Sequence, residues 1–290
     1  MVRFTRHDIE EIYRSHPLRK DTILQRVLQQ KGTLAGLSEQ DLAEDPWTEI
    51  SDQNHIGGLG FTRELGVQAG LESSSRVLDL GCGLGGSARC LAWLFGCHVL
   101  GLDISAERIA QARELTELLG LQSRVTFECA DLMTASLHST HFDVLWGQSA
   151  WVHLEDKLGF LRRWAPALDR KGCVAFEDVF LIRLPATNAE ENLVAELENH
   201  WKSYLVGLDG PAGWSRILAD CGFAASLSQD CSEQLRDHFL KLQLGASRAE
   251  ALPVSQLEQE SWRLALEAVD AGLIGYFRIV AARRSAGQSQ

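Results

Sequence analysis

The stretch Val77-Leu-Asp79-Leu-Gly81-Cys-Gly83-Leu-Gly85-Gly86 constrains this chain more than any other. An apolar run reaches an acid, the chain turns through closely spaced glycines, and a helical pattern follows over about 86–95. Glycine adopts positive φ without steric cost and lets a ligand approach the backbone with no Cβ in the way. Amides opening the next helix then face a polar or anionic group. Gly81, Gly83 and Gly86 also satisfy the dinucleotide spacing G-x-G-x-x-G. Asp79 shifts the balance, because a carboxylate just before the turn suits a ligand with cationic groups better than a pyrophosphate.

Two further acids close apolar runs. His98-Val-Leu-Gly-Leu-Asp103 ends in a carboxylate that can accept both hydroxyls of a ribose. Arg124-Val-Thr-Phe-Glu-Cys-Ala-Asp131 repeats the design, and Leu132 and Met133 beside Asp131 suit an adenine whose amino group the acid takes. Taken singly, each feature has a plain reading: a glycine turn is a tight connection, and a strand-end acid is a helix N-cap. As a set they resemble the class I S-adenosylmethionine-dependent methyltransferases, whose pattern is D-x-G-x-G-x-G followed by acids ending strands 2 and 3. The resemblance covers roughly 70–180. It implies S-adenosylmethionine as cofactor, held by Asp79, Gly81, Gly83, Gly85, Asp103, Ile104, Asp131, Leu132 and Gln148, with Arg63 on the methionine carboxylate. Nicotinamide binding would explain Asp103 but leaves Asp79 and Asp131 without a role.

From 75 to 180 strands near 76–80, 98–103, 124–129, 142–147 and 173–179 alternate with helices near 86–95, 105–119 and 156–168, which predicts right-handed βαβ units and a parallel sheet. The expected fold is α/β: a doubly wound, Rossmann-like sheet of seven strands, mostly parallel, with an antiparallel last strand and a helical cap inserted before it. The expected divisions are a helical segment 1–70 covering the cofactor site, a binding core 71–185, a cap and acceptor region 186–272 that includes strand 6, and a final strand with tail 273–290. Helical spacing in the cap appears around 189–206, at Trp214 to Cys221, and around 232–244 and 255–271.

Ligands of open α/β sheets bind outside the carboxyl ends of the strands. Gln148, Ser149, Trp151 and His153, after the fourth strand, therefore border the place where a methyl group leaves. This segment resembles the small-molecule members of the class, the glycine/sarcosine/dimethylglycine and phosphoethanolamine group and the sugar O-methyltransferases of natural-product pathways, in which a histidine is followed shortly by an acid, here His153 and Asp156. His153 has the pKa range of a general base, and Glu177 is the alternative base. Asp178, His55, Trp146 and Trp151 are candidates to touch the acceptor, the tryptophans by cation–π attraction to an amine. Packing for the tryptophans, a cap for His153 and a surface loop for His55 are the competing readings. The expected reaction is methyl transfer to nitrogen or oxygen of a small molecule. The alternatives are transfer to carbon of an isoprenoid- or indole-like acceptor, and a non-catalytic cofactor-binding protein.

Lys+Arg 28 against Asp+Glu 39 gives a net charge of −11 with no basic run. That argues against a nucleic-acid surface, which needs clustered cations. No apolar run reaches the ~20 residues of a membrane span, and the N-terminus lacks a signal-peptide core. Seven scattered cysteines without a C-x-x-C pair fit a reducing cytoplasm and no zinc site. The partners expected are a small-molecule acceptor, with no nucleic acid and no membrane, and a homodimer is left open.

Overall fold

The structure is a computed structural model that describes residues 4–16, 18–44, 51–136, 141–205, 210–246 and 255–284. Two helices lead in, α1 (Arg6–Ser15) and α2 (Lys20–Lys31), followed by the short α3 (Glu39–Ala43) and by α4 (Gly58–Gln68). Pro17, between α1 and α2, lies outside the described residues. The alternating region runs β1 (Arg76–Leu80), α5 (Gly86–Phe95), β2 (His98–Asp103), α6 (Ala106–Leu118), β3 (Val125–Cys129), β4 (Phe142–Gln148), α7 (Lys157–Trp164) and β5 (Leu168–Leu181). Then come α8 (Asn188–Trp201), α9 (Gly210–Asp220), β6 (Phe223–Asp230), α10 (Ser232–Ala246), α11 (Gln256–Asp270) and β7 (Ile274–Arg283).

The seven strands form one sheet in the order β3-β2-β1-β4-β5-β7-β6. Every ladder from β3 to β5 is parallel, and β7 runs antiparallel to both β5 and β6. The order reverses between β1 and β4, the crevice where open sheets bind ligands. Strand alternation sends Leu78, Leu80, Leu145 and Phe176 to one face, under α7 and α9, and Val77, Val99, Val144 and Trp146 to the other. Both faces are covered, which explains why these strands read as nearly continuous apolar runs.

A further apolar cluster joins Leu193, Val194 and Leu197 of α8 to Leu235 of α10, Leu264, Ala265 and Ala268 of α11, and Ile274 and Tyr276 of β7. Helices α8, α10 and α11 are thus held by a core of their own with β7, while α9 packs on the sheet face through Trp214 and Leu218. The pattern at 189–206 overshoots, because Lys202 takes the left-handed conformation (φ 50°) and ends α8 at Trp201. Residues 285–290, the expected tail, lie outside the described residues.

Candidate active site

The glycine turn forms a cradle at the end of β1. Gly81, Gly83 and Gly85 have φ of 93°, 53° and 74°. A Cβ on Gly81 would lie 2.5 Å from Cβ of Ala150, so the loop after β4 rests directly on the turn. Asp103 is oriented by two amides: Gly83 N donates to its Oδ2 at 2.8 Å and Ser105 N to its Oδ1 at 2.9 Å. A carboxylate oxygen accepts more than one bond, so both keep capacity for a ligand hydroxyl. Asp131 Oδ1 accepts from Met133 N at 2.8 Å.

Asp79 stands apart from the other two acids. It is 2% exposed and its Oδ2 has no hydrogen-bond partner. Burial, reinforced by the charge of Asp103, pushes its pKa up to about 8. A buried acceptor without a donor is costly, and a cationic ligand group removes that cost. Asp79, Gly81, Gly83, Asp103, Ile104, Asp131, Leu132, His55 and Gln148 all line one cavity of about 320 Å³. Gly85 belongs to the turn but faces away, its Cβ position 2.4 Å from the Phe127 ring.

The cavity is closed by the N-terminal segment. Thr5 caps α1 in a capping box with Asp8. Phe4 N donates to Tyr204 Oη at 2.7 Å, and Arg6 Nη2 to the Ile104 carbonyl at 3.0 Å. These ties set Ile9 and Tyr13 over the cavity. A second brace holds the segment 51–57 against the turn. The guanidinium of Arg89, wholly buried, donates to Asp52 Oδ2 at 2.6 Å and lies 3.3 Å from Glu39. That draws the Asp52 carbonyl to 2.2 Å from where a Cβ on Gly86 would sit, so only glycine fits there.

The loop after β4 is pinned from several sides. Ser149 takes φ 51° and its N–H donates to the Glu177 carbonyl at 2.8 Å. Val152 N donates to Asp178 Oδ2 at 2.8 Å, and Trp151 Nε1 to the Leu80 carbonyl at 2.9 Å. Lys157 Nζ donates to the carbonyls of Leu154 and Tyr204, both at 2.9 Å. A 3₁₀ turn at Trp151–His153 results, and it turns His153 into the cavity.

There His153 meets Tyr13, with Oη and Nε2 2.8 Å apart. The other ring nitrogen, Nδ1, lies 3.1 Å from the Lys202 carbonyl, which accepts and therefore fixes the proton on Nδ1. Nε2 is then the acceptor and the Tyr13 hydroxyl the donor. Burial lowers the His153 pKa to about 4, opposed by the bond to Lys202 and assisted by the charge of Lys157. The imidazole is neutral near pH 7, with its Nε2 lone pair directed at Tyr13. Burial raises the Tyr13 phenol, and the nearby charge of Arg108 acts the other way.

Several sequence-assigned residues lie elsewhere. Glu177, expected as a base, is fully buried: Oε1 pairs with Arg278 Nε and Oε2 accepts from Gln148 Nε2 at 2.9 Å. Its role is to hold Gln148, whose Oε1 also receives Trp146 Nε1 at 3.2 Å. Asp178, expected at the acceptor, spends its carboxylate on the amides of Val152 and Val179. Trp146 is wholly buried in the core beneath α5, and Trp151 stacks on Phe176 with ring centroids 4.6 Å apart. Neither tryptophan lines the cavity, so packing is the correct reading of both. Arg63 sits on the exposed side of α4, away from the cavity. His55 does line it, but its nitrogens engage the Ile56 carbonyl at 3.0 Å and the Gln53 and Thr62 side chains at 3.1 Å.

Tyr13, Arg108 and Tyr204 are among the lining residues that sequence reasoning missed. Tyr13 sits at helical spacing with Ile9 and Ile12, and its only distinguishing signal was the hydroxyl on an otherwise apolar stripe. Of the residues 186–272, Tyr204 alone reaches the cavity among the described residues.

The methyltransferase-domain family matches residues 77–172. Residues 77–172 are a methyltransferase domain. A phosphoethanolamine N-methyltransferase 1 of Arabidopsis thaliana is 32% identical over 178 residues, 61% of this chain and 34% of that one. A sarcosine/dimethylglycine N-methyltransferase of Halorhodospira halochloris is 26% identical over 215 residues, 74% of this chain and 72% of that one. The chain spans about a third of the length of the first of these relatives. Among solved structures, the phosphoethanolamine N-methyltransferase 2 of Haemonchus contortus superimposes with a TM-score of 0.71 at 16% identity, covering 96% of this chain and 60% of that one. That likeness extends the shared fold beyond the domain into the N-terminal helices and the region after β5. Among the described residues, no helix is long and apolar enough to cross a membrane.

Proposed function

We propose that this chain transfers a methyl group from S-adenosylmethionine to a nitrogen or oxygen atom of a small-molecule acceptor. The observation that carries the reading is the pairing of Tyr13 with His153 on the same cavity as the three strand-end acids. The residues present fit the cofactor. Asp79, with its unpartnered oxygen, would hold the methionine ammonium, Asp103 the ribose hydroxyls, and Asp131 the adenine amino group between Ile104 and Leu132. When bound, the cofactor supplies a methyl group already activated by the sulfonium charge.

The protein's contribution is alignment, exclusion of water and removal of a proton. The segment 4–13 closes over the cavity and is tied at both ends, at Tyr204 and at His153. A proton leaving the acceptor passes to the Tyr13 oxygen as the Tyr13 proton moves to His153 Nε2, leaving a neutral phenol and an imidazolium. The Lys202 carbonyl, which accepts from Nδ1, stabilises the imidazolium. Proton transfer of this kind contributes typically ~10²–10⁴ in rate. Two relatives are named for N-methylation of phosphoethanolamine and of sarcosine and dimethylglycine, which supports a small amine acceptor. The net charge of −11 supports it over a nucleic acid, and seven free cysteines support a reducing, cytoplasmic compartment.

The test is to incubate the protein with methyl-labelled S-adenosylmethionine and a whole-cell extract and to separate the label by size. Label in the low-mass fraction is expected, and the product mass identifies the acceptor. Label on protein or nucleic acid would overturn the acceptor class. No label, together with no binding of S-adenosylhomocysteine, would overturn the reading as a whole.

A further inference from the structure

A buried cluster beneath the segment 51–57 sets two acids against one base. Glu39 of α3, Asp52 of the segment and Arg89 of α5 are 3%, 2% and 0% exposed. Arg89 spreads its donors: Nη2 gives to Asp52 Oδ2 at 2.6 Å, and Nη1 to the Leu84 carbonyl of the glycine turn at 2.8 Å. Nη1 also lies 3.3 Å from the Ala112 carbonyl and 3.4 Å from Thr116 Oγ1, both on α6. Asp52 Oδ1 accepts from Gln53 Nε2 at 2.9 Å, and Asp52 N donates to the Leu42 carbonyl of α3 at 3.1 Å. The cluster thus joins α3, the segment, the glycine turn and α6, and Asp52, Asn54 and His55 of the segment line the cavity.

The two carboxylates are not equivalent. Asp52 receives a charged donor and an amide donor. Glu39 Oε1 receives the Cys90 thiol at 3.3 Å, a weak donor, and its Oε2 has no hydrogen-bond partner. Arg89 Nε stands 3.3 Å from that oxygen without the alignment of a hydrogen bond. With both acids ionised the cluster would bury a net negative charge, which is costly away from water, and one of two carboxylates sharing a site holds its proton the longer. We infer that the pair retains one proton, carried by Glu39, and that this proton holds the segment 51–57 against the glycine turn. Burial, reinforced by the charge of Asp52, raises the Glu39 pKa well above the ordinary carboxylate range, and the charge of Arg89 opposes the rise. The titratable groups facing Glu39 are Asp52, Arg89 and Cys90. Asp52 in turn faces His55, whose pKa burial lowers to about 4. Loss of the proton sets one guanidinium between two buried anions, and the repulsion falls on Asp52, the anchor of the cavity wall.

The test is urea unfolding of the full chain between about pH 5 and about pH 7, comparing wild type with Glu39→Gln, which has no proton to lose. Glu39→Met takes its place should that variant fail to fold. A raised acid contributes stability that is present below its unfolded pKa and lost as pH rises through the folded one. Over this range the folded protein holds one proton more than the unfolded chain. The wild-type folding constant relative to the variant should therefore fall ~10-fold per pH unit, about 100-fold in all. A ratio that changes by less than about 10-fold overturns the retained proton. A cycle with Asp52→Asn at about pH 7 tests the sharing. Glu39→Gln should raise the folding constant in wild type, yet lower it by at least ~10-fold in Asp52→Asn, where Glu39 is the remaining partner of Arg89. The same sign in both backgrounds overturns the shared proton. Affinity for S-adenosylhomocysteine, a probe that rests on the methyltransferase reading above, should follow: Glu39→Gln costs at least ~10-fold in Asp52→Asn and less than about threefold in wild type. Equal affinity in Asp52→Asn with and without Glu39→Gln overturns the hold on the cavity wall. Failure of the wild type to bind S-adenosylhomocysteine falls instead on the methyltransferase reading and leaves the unfolding result standing.

Discussion

The cavity has two walls of different construction. One is the rim of the sheet, where Asp79, Asp103 and Asp131 stand at the ends of consecutive parallel strands in a single stretch of chain. The other is the cover, assembled from α1, the loop after β4 and the residues after α8, which come together only in the fold: Tyr13 and His153 are 140 positions apart, Phe4 and Tyr204 200 apart. The rim is local and carries the acids proposed to bind the cofactor. The cover is non-local and carries the Tyr13–His153 pair proposed to accept the proton. A site can therefore announce its cofactor in the sequence while keeping its acceptor chemistry out of view.

Five substitutions press on that division. The largest effect is expected for His153→Ala and Tyr13→Phe, each lowering the methylation rate by ~10²–10⁴ with S-adenosylhomocysteine affinity nearly unchanged. Single-turnover rates beside a binding isotherm separate the two quantities. If affinity falls in step with rate, the cover binds cofactor and the contrast collapses. Glu177→Ala is expected to act on stability. Removing one partner of a buried ion pair costs ~3–5 kcal/mol, which lowers the melting temperature by on the order of 10 °C. A variant that keeps its melting temperature yet loses turnover would restore Glu177 to the chemistry. Asp103→Ala should weaken S-adenosylhomocysteine binding by ~1.5–3 kcal/mol, read by isothermal titration. Unchanged affinity would remove Asp103 from the rim. The smallest effect is predicted for Arg63→Ala, whose exposed side chain lies away from the cavity: affinity and rate within about threefold of wild type.

The strands of the rim were legible because burial on both faces gives unbroken apolar runs, each punctuated by an acid or a glycine. β6 was not, for the opposite reason. Most of Phe223–Asp230 is exposed at the sheet edge, so Phe-Ala-Ala-Ser-Leu-Ser-Gln-Asp has no apolar face to read. Glu177 and Asp178 show how far strand position carries an inference. Both were expected at the end of β5, but the strand runs on to Leu181, and position does not reveal that Arg278, 101 residues on, stands against Glu177, or that Asp178 faces two amides. Trp146 and Trp151 were misplaced because an aromatic beside a site and an aromatic beneath it look alike in sequence. Tyr13 and Arg108 were hidden because a single polar group on a helix acquires meaning only from what folds against it.

The central claim is that Asp79 is a buried, unpartnered carboxylate held ready for a cationic group. Its folded pKa, about 8, lies far above the ordinary carboxylate value of 3.8. A raised acid contributes stability that is fully present below the unfolded pKa and is lost as pH rises through the folded one. In the ligand-free protein Asp79 therefore opposes folding progressively up to about pH 8. An ammonium that requires the ionised acid reverses the trend for binding. The deciding measurement is the affinity for S-adenosylhomocysteine between about pH 6 and pH 8 in wild type and Asp79→Asn, the variant cancelling the contribution of every other group that titrates there. Wild-type affinity should climb at least ~10-fold across that range while the variant stays flat. A flat wild-type profile, or a climb that survives in Asp79→Asn, would contradict the account.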